Sequence, residues 1–158
     1  MSIKYSRSEI KHLFATFDTD GNGYLDFKEF SQLLKSYSQI SESNYRFIFN
    51  LIDNDRNGKI DYKEFKRISK ILFNYFLSES EKAADMEHEA TFLFNLIDLD
   101  KNKTIDKEEF ALMMTAIDPN VSKQTIEENF TLVDVDGNGV IDLEEFKRLC
   151  EIIFNSNN

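Results

Sequence analysis

Four twelve-residue acidic phrases recur in the same phase along the chain: DTDGNGYLDFKE (18–29), DNDRNGKIDYKE (53–64), DLDKNKTIDKEE (98–109) and DVDGNGVIDLEE (134–145). They align without gaps, and their starts lie 35, 45 and 36 residues apart. A repeat constrains a fold more tightly than composition does, because one supersecondary unit must serve every copy. The longer middle interval groups the copies into two pairs. We therefore expect two domains, 1–77 and 78–158, with a connector around 76–88.

The flanks repeat as well, FIFNLID (47–53) and FLFNLID (92–98) being almost one phrase. Apolar residues at helical spacing precede each acidic stretch: Leu13, Phe14 and Phe17; Phe47, Ile48, Leu51 and Ile52; Phe92, Leu93, Leu96 and Ile97; Ile126, Phe130 and Val133. They follow each one too: Phe30, Leu33 and Leu34; Phe65, Ile68 and Leu72; Phe110, Met113 and Met114; Phe146, Leu149 and Ile153. This is the pattern of amphipathic helices on both sides of a loop. Ser6-x-x-Glu9 and Ser78-x-x-Glu81 fit the capping box, Ser41 or Ser43 is placed to cap the second entering helix, and Ser122 the fourth. Asp118-Pro119 separates the third exit helix from the fourth entering one. The expectation is an all-α fold of eight helices and four loops. The connector NYFLSESEKAADMEHEATF (74–92) has no Gly or Pro. The capping box at Ser78 predicts a break near 76–80 rather than one continuous helix.

The loop spacing has a chemical reason. Calcium is a hard cation that takes about seven oxygens, and a twelve-residue loop supplies them from positions 1, 3, 5, 7, 9 and 12. Position 1 is Asp18, Asp53, Asp98 and Asp134; position 3 is Asp20, Asp55, Asp100 and Asp136. Position 5 is Asn22, Asn57, Asn102 and Asn138, with neutral amide oxygens. Position 7 offers only a backbone carbonyl, so Tyr24, Lys59, Thr104 and Val140 differ freely. Position 9 is Asp26, Asp61, Asp106 and Asp142, whose short side chains are expected to act through water. Position 12 is Glu29, Glu64, Glu109 and Glu145, long enough to bind with both oxygens, which favours calcium over octahedral magnesium. Position 8 is Leu25, Ile60, Ile105 and Ile141. Its side chain should enter the core while its backbone pairs with the partner loop, Leu25 facing Ile60 and Ile105 facing Ile141 in a short β-ladder.

This pattern resembles the EF-hand, and four hands in two pairs resemble calmodulin and troponin C. The resemblance covers residues 6–154, and the phrase EEFALMMTA (108–116) is similar to calmodulin's helices. It implies helix-loop-helix units in two lobes and up to four bound Ca2+. It also implies a calcium sensor in signalling, exposing an apolar groove that clasps an amphipathic helix of a target protein. The chain departs from that pattern in its longer connector, its four Met and its Lys103. Fifteen Phe make a stiff core, so the alternative is a calcium buffer that binds without opening.

Lys103 stands at position 6 of the third loop, where the other loops have glycine. That position needs φ > 0, which glycine adopts freely and a residue with a side chain adopts at a cost of roughly 1–2 kcal/mol. About one decade of affinity follows. We expect the 98–109 loop to bind calcium more weakly but still to bind.

Composition enters mainly as an exclusion. The 29 acids and 19 bases give a formal charge of −10, which repels phosphates and argues against nonspecific nucleic-acid binding. The 16 acidic ligand positions account for that excess. His12 and His88 are read as solvated helix residues without zinc-ligand companions, and Cys150, the single cysteine, as an inert thiol in a reducing compartment. No apolar run reaches the ~18 residues of a spanning helix. Ser2 breaks the myristoylation pattern, and CEIIFNSNN is not a prenylation box. The expectation is a cytoplasmic protein with no membrane anchor. No nucleophile–base pair, phosphate-cradling glycine loop or open zinc site argues for an enzyme.

Overall fold

The computed structural model describes residues 6–37, 40, 42–78 and 86–155. The chain divides into two compact units, Met1–Ala84 and Asp85–Asn158. The first contains α1 (Arg7–Phe17), β1 (Tyr24–Leu25), α2 (Phe27–Tyr37), α3 (Glu42–Ile52), β2 (Ile60–Asp61) and α4 (Tyr62–Ser78). The second contains α5 (Met86–Ile97), α6 (Lys107–Ile117), α7 (Lys123–Val133) and α8 (Leu143–Asn155). The eight expected helices are all present. Each acidic stretch lies between an entering and an exiting helix.

Local sequence explains most helix ends. The Ser6 side chain accepts from the Glu9 N–H while the Glu9 carboxylate accepts from the Ser6 N–H, the reciprocal bonds of a capping box. Ser122 caps α7 by accepting from the Thr125 N–H. Asp118 closes α6 in an extended conformation, as a residue before proline prefers. Of the two serines placed to cap α3, Ser43 lies inside the helix and Ser41 lies outside the described residues. Ser78 is the last residue of α4; Glu81, its partner in the expected capping box, lies outside the described residues.

The core of each unit is built by an exchange of phenylalanines between its two hands. One Phe stands four residues before each loop (Phe14, Phe49, Phe94, Phe130) and one directly after it (Phe30, Phe65, Phe110, Phe146). All eight are buried. The first Phe of one hand packs on the second Phe of its partner hand. Phe14–Phe65 and Phe30–Phe49 have ring centroids 5.4 and 5.8 Å apart, and Phe94–Phe146 and Phe110–Phe130 5.7 and 5.5 Å. Three of the four meet edge-on, the arrangement favoured by the ring quadrupole, and Phe14–Phe65 is tilted. Entering and exiting helices are thereby paired across hands, α1 with α4, α2 with α3, α5 with α8 and α6 with α7.

The loops themselves meet back to back. In the first unit β1 pairs antiparallel with β2, Leu25 opposite Ile60 and Tyr24 opposite Asp61. In the second the contact shrinks to a single bridge, Ile105 and Ile141 exchanging two N–H···O bonds of 2.8 Å. All four position-8 side chains are fully buried. Lys147 of α8 adds an ion pair to Glu87 of α5 at 2.9 Å, alongside Glu144 on its own helix. Among the described residues no helix is long and apolar enough to cross a membrane.

Two side chains read as bystanders have more definite surroundings. His88 is half-buried in α5 rather than solvated, while His12 is exposed. Cys150 is a buried free thiol. Burial, then the charges of Glu89 and Glu151, push it up to about 12. A thiol raised so far carries almost no thiolate near pH 8. We expect iodoacetamide to leave Cys150 unlabelled in the native protein and to modify it stoichiometrically after denaturation. Equal labelling rates in the two states would contradict this burial.

Candidate metal centres

In each loop the acids at positions 1, 3 and 12 converge. Asp18, Asp20 and Glu29 each offer a carboxylate oxygen within 4.8 Å of the others. So do Asp53, Asp55 and Glu64; Asp98, Asp100 and Glu109; and Asp134, Asp136 and Glu145. The four loops share one hydrogen-bond scheme. The position-1 carboxylate accepts from the N–H groups of positions 5 and 6: in the first loop Asn22 at 3.0 Å and Gly23 at 2.9 Å. The position-3 carboxylate accepts from the backbone and amide N–H of the position-5 asparagine, Asn22 to Asp20 at 3.0 and 2.8 Å. The asparagine oxygen in turn accepts from position 7, the N–H of Tyr24, Lys59, Thr104 or Val140, at 2.8 to 2.9 Å. These bonds fold the loop around its own acids.

The glutamate at position 12 closes the ring from the exiting helix. Its Oε1 accepts from the position-2 N–H, ten residues back: Thr19, Asn54, Leu99 and Val135, at 2.8 to 2.9 Å. Its Oε2 accepts from the position-9 N–H, and its own N–H donates to the position-9 carboxylate. In the third loop this pair, Asp106 and Glu109, is the capping box of α6. Asp26, Asp61, Asp106 and Asp142 thus start the exit helices and stand outside the three-acid clusters. Of the position-7 side chains, that of Thr104 donates to the Asn102 amide oxygen at 2.6 Å.

The electrostatics of the clusters vary. Burial pushes the Asp53 carboxyl up, and nearby Asp55 and Glu64 push it further against the N–H groups of Gly58 and Asn57. For Glu29 burial also opposes the charge, but hydrogen bonds from Asp26, from both donors of Thr19 and from Asp20 outweigh it and hold the carboxyl below its usual range. Three acids drawn together, partly buried and offering only oxygen, match a hard divalent cation. The residues present fit calcium. The acids at positions 1, 3 and 12 and the asparagine at position 5 would hold it directly, with the position-7 carbonyl and, through water, the position-9 acid. The ion would supply charge neutralisation to carboxylates that otherwise repel one another.

The backbone reveals something that sequence reasoning missed. Positions 4 and 6 both have positive φ in every loop: Gly21 at 69° and Gly23 at 83°, Arg56 at 57° and Gly58 at 78°, Lys101 at 59° and Lys103 at 70°, Gly137 at 68° and Gly139 at 88°. The third loop therefore carries two strained lysines where Lys103 alone had been weighed, and the second carries one strained arginine. The glycines at position 4 of the first and fourth loops were the available signal. Space is not the constraint, since a Cβ built on any of these glycines meets nothing within 4 Å. Despite its lysines the third loop keeps the common scheme; Lys103 N–H donates to Asp98 at 3.0 Å, as the glycines do at 2.9 Å.

A family model of the EF-hand domain pair matches residues 7–70, 42–115 and 87–151. These matches span almost the whole chain and include all four loops. No curated protein matches the chain.

Proposed function

Because the chain belongs to the EF-hand family and has up to four calcium sites, we propose that it is a calmodulin-like calcium sensor, whose second lobe engages an amphipathic helix of a target protein. One observation carries this reading. Among the described residues every exposed large aliphatic side chain lies in the second unit: Leu99, Leu112, Ile117, Leu132, Val135 and Ile152. Ile117, Leu132 and Ile152 are 60, 76 and 66% exposed on three different helices. Among its described residues the first unit exposes only Tyr24 and Tyr37 of the large hydrophobics. Exposed apolar groups at helix surfaces suit a helix-in-groove mode of recognition.

Calcium acts in such a protein by binding one arrangement of the helices more tightly than another. The first lobe holds a local reason to rearrange. The Tyr62 hydroxyl is buried without a hydrogen-bond partner among the described residues, and the Tyr62 ring lies nearly perpendicular to that of Phe14, centroids 5.5 Å apart. A buried hydroxyl left without a partner costs about 1–3 kcal/mol, so a rearrangement that gave this one a partner would be favoured. The second reading, a buffer, draws on the cross-hand Phe pairs, which resist any such rearrangement. We place the protein in the cytoplasm, where reducing conditions keep a single free thiol such as Cys150 unoxidised.

The two readings part on one measurement. Calcium should raise the fluorescence of a hydrophobic dye with the full chain and retain it on a phenyl matrix. Saturation with calcium and an unchanged dye signal would leave the buffer.

A further inference from the structure

The charge of this protein is divided unevenly between its halves. Residues 85–158 carry 17 Asp/Glu against 6 Lys/Arg, a formal −11, while residues 1–84 carry 12 against 13, a formal +1. Eight of those 12 acids occupy loop positions 1, 3, 9 and 12. Outside its loops the first lobe carries nine Lys/Arg against four Asp/Glu. Two bound calcium ions in each lobe would bring the first to +5 and the second to −7.

Part of that excess is gathered on one helix. Lys63, Lys66, Arg67 and Lys70 fall at i, i+3, i+4 and i+7 of α4, and all four are exposed. The opposite side of α4 buries Phe65, Ile68 and Leu72. Arg67 donates to the Ile52 carbonyl at 3.3 Å; the three lysines make no ion pair with any described residue. A solvated helix face usually interleaves charges of both signs. Here the one acid between 62 and 72, Glu64, is buried and turned into its loop.

We propose that this face of α4 docks on an anionic lipid bilayer, and that calcium in the first two loops strengthens the docking. Three of the four cations are lysines, point charges without the fork that arginine uses to grip a single carboxylate. They spread over a helix length of ~10 Å, an array that suits a field of headgroups better than one acidic side chain. No apolar residue interrupts the stripe, so an amphipathic partner helix gains nothing from it. Each lysine near an anionic surface contributes roughly five-fold in partition. Lys63 is itself position 11 of the second loop. A cation bound there would add its charge to the stretch of chain where the stripe begins, and charges within a Debye length, about 8 Å at physiological salt, reinforce one another.

The calcium dependence rests on filling of the first two loops, and calcium uptake by equilibrium dialysis checks that separately. The docking test is sedimentation of the full chain with vesicles of phosphatidylcholine, alone or with phosphatidylserine. The wild type should partition onto the anionic vesicles only, calcium raising the partition roughly five-fold or more. K66Q/K70Q should weaken it by roughly twenty-fold, while K123Q/R148Q, with the same loss of net charge in the second lobe, should stay within about two-fold. Both variants should keep the wild-type helical circular dichroism; K66A/K70A replaces the first should it not. Absence of partition from a chain that takes up calcium would overturn the docking and leave the calcium sites standing. So would equal losses in the two variants, or capture of a poly-glutamate peptide without vesicle binding, which gives the face to an acidic protein. Partition that ignores calcium would overturn the calcium dependence.

Discussion

Glu145→Gln is expected to lower calcium affinity at the fourth loop by about 100-fold or more, close to 3 kcal/mol. The Glu145 carboxylate is buried, with Oε1 on the N–H groups of Val135 and Asp136 and Oε2 on that of Asp142. Both oxygens already face the inside of the loop, and a calcium ion would use both. Glutamine keeps the size of the side chain, loses its charge, and aims one amide NH2 where an oxygen had accepted from a backbone N–H. A donor against a donor is worse than an empty position. The third loop should weaken several-fold as well, because its Ile105 backbone is bonded to Ile141, four residues before the substitution. The first two loops belong to a separate unit and should not respond. Calorimetric titration of wild type and variant reads all three effects. Four unchanged sites in the variant would remove Glu145 from the ligand set.

The double replacement Lys101→Gly and Lys103→Gly is expected to work in the other direction. Both lysines are left-handed, at φ 59° and 70°. Each costs roughly 1–2 kcal/mol there, and glycine returns about half of that gain through the greater freedom of the unfolded chain. About 1–2 kcal/mol remains for the pair, roughly five- to thirty-fold if it all appeared as affinity. Since the loop keeps its hydrogen bonds with the lysines present, part of the gain should appear as thermal stability of the calcium-free second lobe. Removing two positive charges from beside the cation adds to the affinity share. Calcium titration together with thermal denaturation in chelator measures both shares. A variant unchanged in both would mean that these backbone angles carry no strain. By the same reasoning the third loop should be the weakest of the four, and Arg56 should place the second between it and the two loops with glycine at both positions.

The convergence of the acids at positions 1, 3 and 12 was legible because a twelve-residue loop is a local object. Spacing alone brings Asp18, Asp20 and Glu29 within reach of one another, and the same holds in the other three loops. The position-8 pairings followed from the pairing of the loops, and Leu25–Ile60 and Ile105–Ile141 meet as that logic requires. What escaped notice was local too, but silent in residue type. Arg56 and Lys101 look like ordinary loop residues, and only their φ values identify position 4 as left-handed. The aspartate at position 9 reads as a ligand from its charge, and its service as a helix cap appears only with its hydrogen bonds.

Sequence by itself therefore determined the number of loops, their acids and the helices around them, since each is set by contacts among residues a few positions apart. Tertiary structure decided which apolar residues lie deepest. Helical spacing singled out Phe47 and Phe92; Phe92 is as deeply buried as Phe94 in the same phrase, but Phe47 is only half-buried while Phe49 beside it is nearly inaccessible. Phe49 and Phe94 are nearly inaccessible because each meets a phenylalanine from the partner hand, Phe30 and Phe146. Depth in a core depends on what another part of the chain brings, and a periodicity read along one helix carries no information about the ring that arrives from across the lobe.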